Sequence, residues 1–182
     1  MPFTTIDAST ALIVIDLQKG IAALPPPELA HPAINNAVKL IETFRARQRP
    51  VVLINVVGGA PGRTDRKPGG DRPADWAELL PELGHAPDDI RFSKKTWGAF
   101  TGTGLDARLR DLGITGVVVC GIATSRGVES TARFAHELGY NVALPVDAMA
   151  DVNPEAHQRS VELIFPWIAE TGTTEELIAL VK

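Results

Sequence analysis

The 182 residues suffice for one domain with a substantial core and are short for two, so one domain over 1–182 is expected. A net charge of −4 gives no electrostatic ground for nucleic acid binding, and no apolar run approaches the ~20 residues of a membrane span. The single cysteine, Cys120, excludes an intrachain disulfide and a multi-cysteine metal site.

The opening "MPFTTIDAST" lacks a basic stretch followed by an apolar one, so no secretory signal is expected and a cytoplasmic location is the default. "TALIVIDLQ" reads as a buried strand with a polar tip. Residues 32–48 follow with Ile34, Val38, Ile41 and Phe44 at helical spacing. "PVVLINVVGG" is a second continuous apolar run, suited to a parallel sheet covered on both faces. "GGAPGRTDRKPGGDRPAD" is rich in Gly, Pro and charge, and reads as a surface excursion within the domain, near the active site. "DDIRFSK" predicts a short strand, and "GTGLDARLRDLGI" a helix with Gly113 past its end. "TGVVVCG" is the next buried strand, "SRGVESTARFAHELG" a helix, and "YNVALPVD" another strand. Asn153 and Pro154 suit the N-cap and first position of a helix over "NPEAHQRSVELI". "WIAET" and "TTEELIALV" close the chain as strand and helix. Strands alternating with helices predict an α/β fold: a single-domain, Rossmann-like, three-layer structure with a mostly parallel sheet of about six strands. Ligands in that architecture bind beyond the carboxyl ends of the strands. Asp16, Gln18, Asn55, Lys94, the segment from Gly121 and Asp147 are therefore the residues to inspect.

Asp16 follows the first apolar run. By itself such a residue is as readily a cap as a catalyst. Lys94 and Lys95 precede "TWGAF", and adjacent lysines are ordinarily solvated. "VVVCGIATSRGVESTARFA" changes that weighing, because it resembles the nucleophile turn of the isochorismatase-like, or cysteine hydrolase, superfamily. "ALIVIDLQ", "KKTWGAFTGTGLDARLRDLGI" and "PVDAMADVNPEAHQRSVELI" resemble that family's first strand, lysine segment and later strand and helix, in the same order. The resemblance places the catalytic aspartate at Asp16 and the lysine at Lys94. It places the cysteine position at Gly127, so Cys120, inside a strand, is expected to be structural. Ser125 is an alternative nucleophile with no histidine placed by sequence to activate it.

Members of this family that carry glycine at the cysteine position hydrolyse isochorismate, a vinyl ether, which needs one carboxylic acid and no covalent nucleophile. The resemblance thus implies a hydrolase acting on a small carboxylated molecule, with Asp16 as general acid and Lys94 as anchor. Lys94 also favours ionised Asp16, which opposes the acid role unless burial offsets it. An amidase using another nucleophile and a non-catalytic binding protein are the alternatives. Val128 stands where isochorismatases have a cysteine. Gln18, Trp97, Ile122, Ala123 and Arg126 are the substrate-binding candidates. Trp97 is either a pocket wall or core beside Phe100, and Arg126 either binds a carboxylate or points to solvent. The family's cis peptide falls at Ile122–Ala123, where backbone N–H groups would meet a substrate oxygen. Its members imply a homo-oligomer. His31, His85, His136 and His157 form no zinc spacing, so neither metal nor cofactor is expected.

Overall fold

The computed structural model describes residues 3–65, 71–84 and 86–182. His85, the first two residues, and residues 66–70 of the Gly/Pro-rich segment lie outside the described residues. The apolar runs form β1 (Thr10–Ile15), β2 (Val51–Val56) and β4 (Gly116–Ile122). The shorter strands are β3 (Ile90–Lys94), β5 (Asn141–Pro145), β6 (Met149–Ala150) and β7 (Glu170–Gly172). The sheet therefore has seven strands rather than about six, and every strand pairing in it is parallel. The additional strand is β6, whose two residues carry no readable pattern of their own.

The helices are α1 (Lys19–Ala22), α2 (Pro27–Ala46), α3 (Leu105–Asp111), α4 (Glu129–Glu137), α5 (Pro154–Arg159) and α6 (Thr174–Leu180). α2 starts five residues before the position read from the sequence, because Pro27 takes its first position. Pro32 then lies inside the helix and forfeits a single backbone bond near its N-terminal end. Asn153 caps α5 as expected, its side chain accepting the Glu155 N–H. α5 passes at Ser160 into a wider π-type turn, so the helix expected over "NPEAHQRSVELI" is two pieces.

Alternation along β1 decides what covers each face. Leu12 and Val14 join Val118 and Cys120 in a core with Ala37, Leu40 and Phe44 of α2 and Leu177 of α6. Ala11, Ile13 and Ile15 point the other way, toward Leu105 and Leu109 of α3 and Val128, Ala132 and Ala135 beside or on α4. Burial on both faces is why these strands read as unbroken apolar runs.

The strand order is β3-β2-β1-β4-β5-β7. Succession runs outward one way from β1 and the other way from β4, so the order reverses between these two neighbours. Their carboxyl ends form the crevice where open α/β sheets take ligands. Two backbone features shape it. Asp16 leaves β1 with φ 52°, in the left-handed region that few non-glycine residues adopt. Gly121 has φ 121°, and a Cβ there would collide with the Ile15 backbone, so only glycine lets β4 pass this close.

Candidate active site

Asp16 stands one residue past β1 and Lys94 is the last residue of β3, so the sheet itself sets their separation. Lys94 Nζ lies 2.7 Å from Asp16 Oδ2 and also donates to the Thr96 carbonyl at 3.1 Å. Both side chains are almost wholly buried. Asp16 Oδ1 is buried without a hydrogen-bond partner among the described residues. An ionised carboxylate with one bare oxygen is poorly solvated. Burial accordingly pushes the Asp16 pKa up to about 6, although Lys94 pulls the other way. Of the two opposed influences read from the sequence, desolvation is the larger here.

Beyond β4, the Ile122–Ala123 peptide is cis, and Thr124–Val128 forms a π-type turn leading into α4. Gly127 lies in this turn, against Asp16. A Cβ built on it would stand 3.2 Å from Asp16 Oδ2. Thr131 fixes the turn from below: its hydroxyl donates to the Gly127 carbonyl at 2.6 Å and accepts the Ala99 N–H at 3.1 Å. One buried threonine thus ties the turn to the loop after Lys94. Asp151 fixes it from the side, its Oδ2 accepting both the Ser125 N–H (2.7 Å) and the Ser125 hydroxyl (2.8 Å). His157 Nδ1 sits 2.8 Å from the Thr124 hydroxyl, and burial holds its pKa below the ordinary imidazole value. Asp151 and His157 were not singled out in the sequence as parts of the site. They sit beyond the next strand, and only the fold brings them to the turn.

Asp16, Lys94 and Gly127 border a cavity of about 580 Å³. Asp16, Lys94, Trp97, Ile122, Ala123, Arg126 and Gly127 all line it. Trp97 is 61% exposed, which decides for the pocket wall over the core. Arg126 faces the cavity and has no ion-pair partner among the described residues. The loop after β2 adds Arg63 and Arg72, the latter stacked over Trp76 at 3.9 Å, and Lys95 joins them. Among the described lining residues five are cationic and only Asp16 is acidic.

Three readings from the sequence change. Gln18 is fully buried and lies outside the cavity lining, so it does not present its side chain to substrate. Its amide donates to the Val56 and Trp76 carbonyls and accepts the Val56 N–H, closing the β2 loop over the site. A polar residue two positions after a strand looks ligand-facing, but unpaired backbone nearby claimed it. Asp147 accepts the N–H and hydroxyl of Thr174 at the start of α6, away from the cavity. Ser125 has both its donors on Asp151 and does not line the cavity, which sets it aside as a nucleophile. Cys120 is buried in the core behind β4, where burial pushes its thiol up to about 12. No group of three or more His, Cys, Asp or Glu is placed to hold a metal ion among the described residues, and no described helix is long and apolar enough to cross a membrane.

The buried carboxylate–lysine pair lies at the switch point of a parallel α/β sheet, where proteins of this class take ligands. The isochorismatase domain matches residues 10–176. An isochorismatase family protein of Bacillus subtilis (strain 168) is 44% identical over 181 residues, covering 95% of this chain and 94% of that one. The structure of an isochorismatase family protein from Burkholderia thailandensis superposes with a TM-score of 0.92 at 37% identity, covering 99% of this chain and 98% of that one. N-carbamoylsarcosine amidase from Thermoplasma acidophilum gives 0.74 at 29% identity, covering 92% of this chain and 97% of that one. The chain belongs to the isochorismatase family and is a hydrolase of that family.

Proposed function

We propose that this hydrolase cleaves the vinyl ether of a small carboxylated molecule, with Asp16 as general acid and no covalent nucleophile. The observation that carries the reading is the pairing of a buried Asp16, its pKa raised to about 6, with a bare glycine directly against it. The position where the family resemblance puts a thiol has no side chain, and the one thiol in the chain is sealed in the core. Amide cleavage through a thioester then has no nucleophile. A vinyl ether needs none.

The steps balance around one carboxyl group. Asp16 gives its proton to the terminal methylene carbon, making an oxocarbenium ion and an aspartate. Water attacks the cationic carbon and returns a proton to Asp16. The hemiketal collapses to pyruvate and the free alcohol. The net reaction consumes one water and regenerates the acid. Lys94 holds the developing aspartate between the two transfers. Arg126, Arg63, Arg72 and Lys95 supply charge for the substrate's carboxylate, and the exposed face of Trp97 its apolar wall. The site requires neither metal nor cofactor for this sequence. A homo-oligomer remains the family expectation.

The amidase named among the relatives supports a second reading, hydrolysis of a C–N bond, in which Asp16 must act ionised as a base. The two readings predict opposite pH profiles. With the Asp16 pKa near 6, only about a tenth of the free enzyme carries the proton at pH 7. For a general acid, kcat/KM is level below about pH 6 and falls about tenfold per pH unit above it; for a base it rises instead. The test is pyruvate release from the enol ether 2-phenoxyacrylate against ammonia release from benzamide, each across pH. Ammonia without pyruvate, or a rate rising through pH 6, would contradict the proposal.

A further inference from the structure

Gly20 is the second residue of α1, a helical position without the left-handed φ that calls for glycine. Glycine is a poor helix former, so the backbone alone gives no reason for it there. The reason is Trp76, which comes from the segment between β2 and β3. A Cβ on Gly20 would fall inside the indole, against Trp76 Cδ1, Nε1 and Cγ. The ring already fills the place a side chain would take. Backbone bonds fix the same pair. The Trp76 carbonyl accepts the Gly20 N–H at 3.0 Å and the Gln18 side-chain amide at 3.1 Å. On either side, the Lys19 N–H donates to the Glu78 carbonyl (2.9 Å) and the Leu80 N–H to the Leu17 carbonyl (3.0 Å).

The seated ring carries a cation. Arg72 Cζ lies 3.9 Å over the Trp76 ring, and both residues line the cavity. Arg72 is exposed and has no ion-pair partner among the described residues. An exposed arginine samples many rotamers. A stack on an indole narrows them and leaves the donor edge of the guanidinium open to a ligand. Arg63, Arg126 and Lys95 have no aromatic ring beneath them among the described residues. We propose that Trp76, seated on the bare Cα of Gly20, is a positioning residue that holds Arg72 at the cavity as the preset clamp for the substrate's carboxylate. This deepens the reading of a carboxylated substrate and rests on it. Gly20 never touches the ligand; it acts through Trp76, and Trp76 through Arg72.

The probe is 2-phenoxypropionate, which has the carboxylate but no vinyl group and is not turned over; its affinity is measured by titration calorimetry. Arg72→Gln should weaken it about tenfold, the weight of one charge-assisted hydrogen bond. Gly20→Ala and Trp76→Leu should each weaken it by a similar factor, and neither should add to the loss when combined with Arg72→Gln. Trp76→Phe, which keeps a ring face under the guanidinium, should retain most of the affinity. If Gly20→Ala does not fold, Trp76→Leu decides, since it removes the ring without crowding α1. Losses that add to that of Arg72→Gln would show Gly20 and Trp76 to be merely structural and would overturn the proposal. An unchanged affinity in Arg72→Gln, or no binding to wild type at millimolar concentration, would overturn it as well. If the affinities follow the expected pattern but 2-phenoxyacrylate releases no pyruvate, the vinyl-ether reading falls and the clamp stands.

Discussion

Removing Asp16 and Lys94 singly and then together separates what the pair does for chemistry from what it does for folding. The pair is 2.7 Å long and almost fully buried. Burial lifts Asp16 from 3.8 to about 6 in the folded protein, a rise worth about 3 kcal/mol. The sign follows from the direction. A carboxyl group whose folded pKa is raised binds its proton more tightly when folded. Its contribution to stability is greatest below the unfolded pKa near 4 and is lost as pH climbs to about 6. Ionised Asp16 therefore weighs against folding at neutral pH. Asp16→Asn leaves Lys94 buried and unpaired, which costs about 3–5 kcal/mol. Lys94→Met should cost less at pH 5 than at pH 8, because Asp16, freed of the lysine that lowers its pKa, takes up a proton. The double variant, with both charges gone, should lie within about 1 kcal/mol of wild type or above it. Urea unfolding of all four proteins at both pH values measures this. A double variant destabilised by the sum of the single losses would refute the reasoning, since it would show the two charges to be independent structural contributors.

Cys120 should resist alkylation in the native protein and react at once in urea, and Cys120→Ala should keep full activity; rapid native labelling with loss of turnover would restore a thiol mechanism. Arg126→Gln should raise KM for a carboxylated substrate about tenfold with little change in kcat, the weight of one charge-assisted hydrogen bond; an unchanged KM would turn Arg126 back to solvent. Prolonged chelation should leave the rate unaffected, and recovery of lost activity on adding zinc would count against the site as described.

Asp16 stood out at the end of an apolar run, whereas Lys94 and Gly127 were marked only by the family resemblance, since one of two adjacent lysines and a glycine in a turn carry no signal of their own. The alternation of strands and helices was legible because burial on both faces writes a continuous apolar signal. Strand order was not, since the reversal between β1 and β4 is set by pairings far apart in the chain. Gln18 misled because a polar residue near a strand end serves a ligand or a backbone loop equally well in sequence. Arg63 and Arg72 passed unmarked and Lys95 was read as solvated, as cations in a polar loop look solvated until the fold turns them into one cavity. Trp97 stayed open between wall and core, because its periodicity does not say which side of the β3 loop faces water.

Proton transfer from Asp16 to carbon is the central claim, and deuterium reports it directly. The protein is incubated with 2-phenoxyacrylate in D2O near pD 6, and early product is read by proton NMR. Transfer of one solvent-derived deuteron to the methylene gives pyruvate bearing a CH2D group alongside phenol. Asp16→Asn, which keeps the shape and loses the proton, should slow release by about 10²–10⁴-fold. Singly deuterated pyruvate from wild type with that loss in the variant is the predicted result. Unlabelled CH3 pyruvate, or wild-type rates from Asp16→Asn, would contradict the account.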